Sequence, residues 1–375
     1  MVQPSLQALI DGELYVPGLS AEHVAQAYGI PVAQIAKLGS AENPHGASPM
    51  AQAAVKAALG RLSLYPDWTA QDLRLAIARK FGFDPEGVVC GSGETEVISM
   101  VIRAFAGPDE AVLMHELCFP LYRIYTACEG RRPIYAPMGK DFTFEMDAYV
   151  ALLQRERPRI AFLTTPHNPS GRLLPDTDIR RVCESADPRT LVVLDEAYIH
   201  YSETPGSLHL LRDYPNLIVL RTFSKAYGLA GLRIGFGIAH NPALIEPLRR
   251  IKPTWNMGQL QIAGGVAGIE DNAHVDRAVQ TISTSRSHVQ AQMASMDRFR
   301  MVPGSRSNFF LTEILDPDLG ASDVFNQLLE HGVIVKDGND IQGLGDRYLR
   351  VDLNLQEHMD HFLGALSQVQ APSRV

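Results

Sequence analysis

Residues 217–238 read LIVLRTFSKAYGLAGLRIGFGI. Two apolar runs, Leu217–Leu220 and Ile234–Ile238, enclose a glycine-punctuated segment that carries one lysine, Lys225. Every position of both runs is apolar or glycine, so neither run keeps a face for water. Such runs are strands buried on both sides, which predicts a mostly parallel sheet flanked by helices. Working outward, Val88-Val89-Cys90, Ala111–Met114, Ile160–Leu163 and Leu191–Leu194 repeat the pattern at intervals that hold helices. One of those intervals, Thr95–Phe105, sets Val97, Ile98, Val101, Ile102 and Phe105 on one helical face. The expected class is α/β.

Beyond about residue 260 the pattern changes. A long helix is predicted over Asp271–Phe299, then strands at Ser307–Glu313, Gly332–Lys336 and Tyr348–Leu353, and a closing helix after Glu357. This reads as a smaller α+β domain. A chain of 375 residues exceeds what one core usually supports. The expected division is an N-terminal arm over 1–45 packed on the small domain, a large domain over 46–257 and a small one over 258–375.

Composition narrows the function classes. With 34 basic and 42 acidic residues the net charge is -8, which argues against a nucleic-acid or anionic-membrane partner. The four cysteines, Cys90, Cys118, Cys128 and Cys183, form no CxxC pair and read as apolar residues of a cytoplasmic protein. No run approaches the ~20 apolar residues that a membrane helix needs. His115, His167, His200 and His240 lack metal-ligand spacing.

In a parallel sheet, chemistry collects past the carboxyl ends of the strands. Here those ends deliver Gly91-Ser92-Gly93-Glu94-Thr95, then Asn168-Pro169-Ser170-Gly171, then Asp195-Glu196-Ala197-Tyr198, then Thr222-Phe223-Ser224-Lys225. Each alone has an ordinary reading as a tight turn, a cap or a solvated lysine. A dinucleotide fingerprint is ruled out because Glu96 stands where its third glycine belongs. No G-x-S-x-G elbow is present, and a DNA-binding regulator would need a basic module that this chain lacks.

Together with Glu42-Asn43-Pro44, Tyr65-Pro66-Asp67 and the block from Thr222 to Gly235, these stretches resemble the fold-type I pyridoxal-phosphate aminotransferases. Within that fold type the histidinol-phosphate aminotransferase group is most similar, over about residues 15 to 365. The resemblance implies that Lys225 holds pyridoxal 5'-phosphate as a Schiff base and moves the substrate proton. It implies that Asp195 faces the pyridine nitrogen, that Asn168 and Tyr198 reach the phenolic oxygen, and that Phe119, or Tyr122 in its place, stacks on the ring. Gly93, Glu94 and Thr95 would receive the phosphate at a helix N-terminus, with Thr222, Ser224 and Arg233 completing its shell. Tyr65 would come from a neighbouring subunit, which makes the expected assembly a homodimer with shared active sites.

For the substrate, the resemblance implies Arg350 at an anionic group, with Lys336, Tyr15, Asn43 and Asp352 nearby. Lys336 replaces an arginine of the group, and Asp352-Leu353-Asn354 replaces its Thr-Val-Gly. Arg350 and Asp352 share a strand face, so Asp352 would either pair with Arg350 or meet a cationic substrate. Trp255 would line the pocket or pack between the domains. The implied reaction is ping-pong transamination from a histidinol-phosphate-like amine to a 2-oxo acid. Aromatic or basic amino acids remain open as donors, as do decarboxylation and cyclisation on the same fold.

Overall fold

The computed structural model describes residues 14–371. A short strand β1 (Ala36–Lys37) precedes the large sheet, whose members are β2 (Val88–Ser92), β3 (Ala111–His115), β4 (Arg132–Ala136), β5 (Ile160–Thr164), β6 (Leu191–Asp195), β7 (Leu217–Thr222) and β8 (Ile234–Ile238). Their spatial order is β2-β8-β7-β6-β5-β3-β4. The pairs from β7 through β4 are parallel, and β8 runs antiparallel to both β7 and β2.

The unalternating runs divide between two apolar layers because successive side chains leave opposite faces of a strand. Val192, Leu194, Leu217 and Val219 enter one buried cluster, while Leu191, Val193, Ile218 and Leu220 enter the other. Helices Gln71–Phe81, Met146–Glu156 and Asp176–Ser185 cover the first face, and Glu94–Phe105 covers the second. Strand β4 carries no all-apolar run: Arg132 and Tyr135 are exposed, and its proline is tolerable only because the strand forms the sheet edge.

A second, antiparallel sheet has the order β12-β13-β10-β9, made of β9 (Phe299–Met301), β10 (Phe309–Ile314), β12 (Lys336–Asp337) and β13 (Tyr348–Asp352). Helices Asn272–Met293 and Gln356–Gln368 share its apolar cluster. The long helix stops at Met293, short of the predicted Phe299, because Phe299 begins β9 and pairs with Ile314. The predicted strand over Gly332–Lys336 splits in two. Its first half, β11 (Val333–Ile334), pairs in parallel with β1, and its second half joins β13. The N-terminal segment is thereby tied to the second sheet.

Candidate active site

Register brings the strand ends together. Thr164 lies opposite Asp195, and Asp195 opposite Leu220, so the carboxyl ends of β5, β6 and β7 form one ledge. Above it is a cavity of about 430 Å³, lined by Asn168, Asp195, Tyr198, Thr222, Ser224, Lys225, Arg233 and Arg350. Tyr15, Phe119, Glu94 and Thr95 complete much of the wall.

Lys225 points its amine at the carbonyl of Ser40, 3.1 Å away, and lies 5.3 Å from the centre of the Tyr198 ring. Burial, and then the nearby Arg350 guanidinium, push its ammonium down to about 8. A lysine at that value supplies free amine near neutral pH. Asp195 is buried, accepts the Ala197 N–H at 2.9 Å and is bonded by the Tyr122 hydroxyl. Burial raises its carboxyl, and those two donors pull it partly back. Tyr122 is also 3.0 Å from the Thr164 hydroxyl and is packed face-on against Phe162, 4.5 Å between centroids. Tyr122 therefore lies behind the ledge, and Phe119 is the ring on the cavity wall, edge-on to Tyr15.

The loop bearing Asn168 is braced from beneath. His167 donates through Nε2 to the Leu117 carbonyl at 2.8 Å, so its Nδ1 accepts from the Ser170 hydroxyl at 2.8 Å. Burial holds that imidazole down at about 4, hence neutral. The Asn168 oxygen accepts from Arg350 at 3.2 Å, which leaves its NH₂ as a donor toward the cavity.

At the other end, the helix Glu94–Phe105 starts without a side-chain cap, and its first residues, Glu94 and Thr95, line the cavity. Gly93 adopts a φ of 79°, and a Cβ there would collide with the Arg233 guanidinium. Thr222 donates to Ser224 at 3.0 Å, and Arg233 reaches the Ser224 hydroxyl at 3.4 Å. Arg233 itself occupies left-handed backbone, φ 56°, at a cost of about 1–2 kcal/mol. Uncapped N–H groups, two hydroxyls and a guanidinium make a site suited to a phosphate.

The substrate-side residues divide. Arg350 donates to the Gly39 carbonyl at 3.0 Å, lies over the Phe309 ring and stands 3.7 Å from Asp352. Asp352 is buried and bonded by the Ala41 N–H, and it does not line the cavity. Lys336 lines an adjoining recess with Tyr15, Asn168 and Arg350, where it pairs with Asp340 at 2.7 Å and donates to the Val16 carbonyl. Asn43 is elsewhere: its amide donates to the Ala226 carbonyl at 2.7 Å, next to Lys225 in sequence, and is spent bracing that segment. Tyr65 is 77% exposed and stacks on Trp255, 4.4 Å between centroids, away from this cavity. Sequence reasoning passed over Ser40, Thr164 and the side chain of Glu94. The first two carry no chemical signal of their own; Glu94 was read only through its N–H.

A family model for class I and II aminotransferases matches residues 33–366. A histidinol-phosphate aminotransferase from Anaeromyxobacter is 38% identical over 359 residues, covering 95% of this chain and 96% of its own. Another, from Mesorhizobium japonicum, is 37% identical over 360 residues, with 95% of each chain covered. The crystal structure of histidinol-phosphate aminotransferase from Sinorhizobium meliloti in complex with pyridoxal-5'-phosphate superimposes with a TM-score of 0.85 at 26% identity, covering 98% of both chains. On its strand-end residues and on these likenesses, the chain belongs to the class I and II aminotransferase family.

Proposed function

We propose that this protein is a pyridoxal-phosphate-dependent aminotransferase of the histidinol-phosphate type, acting in the cytoplasm as a homodimer with Tyr65 facing the partner's site. The observation that carries the reading is one cavity holding a lysine with a lowered pKa, a buried carboxylate and a separate phosphate-suited cradle. Pyridoxal phosphate, when bound, supplies the electron sink that lets the substrate lose its α-proton. The cradle of Glu94 and Thr95 N–H groups, Thr222, Ser224 and Arg233 would hold its phosphate. Phe119 would cover the ring, and the Asn168 amide and Tyr198 hydroxyl would reach its phenolic oxygen.

Lys225 would attach the cofactor and, once released, carry the proton, a task that a lysine near 8 performs at neutral pH. Asp195 would keep the ring nitrogen protonated, an arrangement stabilised by two fixed donors on its carboxylate. Arg350 would grip the substrate's anionic end. The Ala41 N–H on Asp352 and its 3.7 Å separation from Arg350 support pairing with that guanidinium over contact with a cationic substrate. Lys336 adjoins the same end but is paired with Asp340, so the cation there is Arg350, which suits a carboxylate or phosphate better than a basic side chain.

The test is product formation. Purified protein with histidinol phosphate and 2-oxoglutarate should form glutamate, with kcat/KM well above that for aromatic or basic amino acids. A preference for an aromatic donor would replace the substrate assignment and leave the reaction type standing. Release of carbon dioxide without glutamate would contradict transamination.

A further inference from the structure

Glu94 presents a problem that the cradle alone does not resolve. It opens a helix at the phosphate end of the cavity, where an acidic side chain would repel the ligand. Yet the residue is only 7% exposed and lines the same cavity as Asp195, with which its carboxyl interacts. Its Oε1 has no hydrogen-bond partner among the described residues. The groups facing it are Asp195 and the phenol of Tyr122 on the sheet side, the Lys225 amine across the cavity, and the Arg233 guanidinium against the preceding Gly93. The backbone cannot withdraw either, because Gly235 of the neighbouring strand touches it so closely that a Cβ there would overlap the Glu94 nitrogen.

Two carboxyl groups in contact inside a buried site cannot both stay ionised. Asp195 has two fixed donors, the Tyr122 hydroxyl and the Ala197 N–H, which favour its charged form. Glu94 has none of that support, and burial with the Asp195 charge drives its carboxyl well above the ordinary range. We propose that Glu94 and Asp195 form a carboxyl–carboxylate pair holding one proton, with Glu94 as donor, so that Glu94 is a positioning residue that keeps Asp195 ionised. The arrangement also removes the clash, since a neutral Glu94 leaves the helix N-terminus free for phosphate. The pair exists in the cofactor-free protein; its consequence for cofactor binding rests on the proposed function.

The sign of the pH effect follows from linkage. A carboxyl raised on folding contributes stability below the ordinary carboxylate range, and that stability is lost as pH rises toward its folded value. Glu94→Gln keeps the shape and a donor and has no proton to lose. For full-length cofactor-free protein, melting temperatures of wild type and E94Q should diverge as pH rises above the ordinary carboxylate range, with E94Q gaining on wild type. Infrared difference spectra of wild type should show a protonated-carboxyl carbonyl stretch that E94Q lacks. Parallel melting curves, or survival of that stretch in E94Q, would overturn the pair.

A second variant covers failure of E94Q to fold. Glu94→Ala removes the donor, so Asp195 should protonate more readily on acidification. Titration with pyridoxal phosphate should find E94A losing affinity about one pH unit above wild type, the size of one hydrogen bond to a charged group. E94Q should follow wild type on that acid limb. Pyridoxal phosphate binding with the same pH dependence in all three proteins would overturn the pair while the proposed function stood. Failure of the wild type to bind it would instead sink the function reading, and the melting curves would decide the pair alone.

Discussion

Lys225 and Arg350 share one pocket, and each makes the other's chemistry measurable. The amine of Lys225 sits near 8 because it is buried and because Arg350 already supplies positive charge. A lysine lowered on folding costs stability while it must be neutral and its unfolded counterpart is charged, so stability rises with pH between about 8 and about 10.4. Lys225→Met should abolish that rise and make the cofactor-free protein more stable near neutral pH by roughly 3 kcal/mol, read from denaturant midpoints. Arg350→Lys keeps the charge and loses the planar fork, so kcat/KM should fall roughly 10- to 100-fold with little change in melting temperature. An unchanged kcat/KM would remove Arg350 from substrate binding. At this scale the sequence was readable where residue type limits function: Lys225, Asp195, Asn168 and Arg233 are all at the cavity. It was unreadable where a polar side chain is spent locally. Asn43 follows the same sequence logic as Asn168, yet its amide is bonded to the Ala226 carbonyl.

Elements position these residues through close backbone approach and through one buried ion pair. Strand β8 lies against the start of the helix Glu94–Phe105 at Gly235, where no side chain fits. Gly235→Ala should push that helix start outward, weakening pyridoxal phosphate affinity more than it lowers the melting temperature. Beneath the loop after β6, Arg221 bonds Glu196 at 2.6 and 2.9 Å, with both side chains buried and the guanidinium over the Phe81 ring. Arg221→Met leaves Glu196 as an uncompensated buried charge and should cost about 3–5 kcal/mol in chemical unfolding. Strand positions of the large sheet, β4 excepted, were legible because their runs contain no polar residue. The end of the helix Asn272–Met293 was not, since Phe299 has the same apolar character whether it continues a helix or opens β9. Only the pairing partner, β10, decides between them.

The whole molecule puts its cavity between the ledge of the parallel sheet and Arg350 of the second sheet, with the segment around Gly39 and Ser40 closing one side. Buried runs and a later change of pattern made that α/β plus α+β plan readable. The join was less so, because β1 is only two residues long. On the outer surface, Leu59, Leu62, Leu64, Tyr65, Trp68 and Trp255 are exposed apolar side chains. Exposed apolar side chains in that number, with Tyr65 stacked on Trp255, suit contact with a second copy of the chain. Sedimentation should give a dimer, and mixing Lys225→Ala with Tyr65→Ala protein should restore part of the activity through hybrid dimers. A monomer with full activity would refute the shared site.

The role of Lys225 is tested most directly by the visible absorbance spectrum of the purified protein, followed by borohydride reduction and peptide mapping. A visible band from lysine-bound pyridoxal phosphate is expected, with its loss on adding histidinol phosphate, its absence in Lys225→Ala, and a reduced adduct on Lys225 alone. No band after incubation with added cofactor, or an adduct on another lysine, would contradict it.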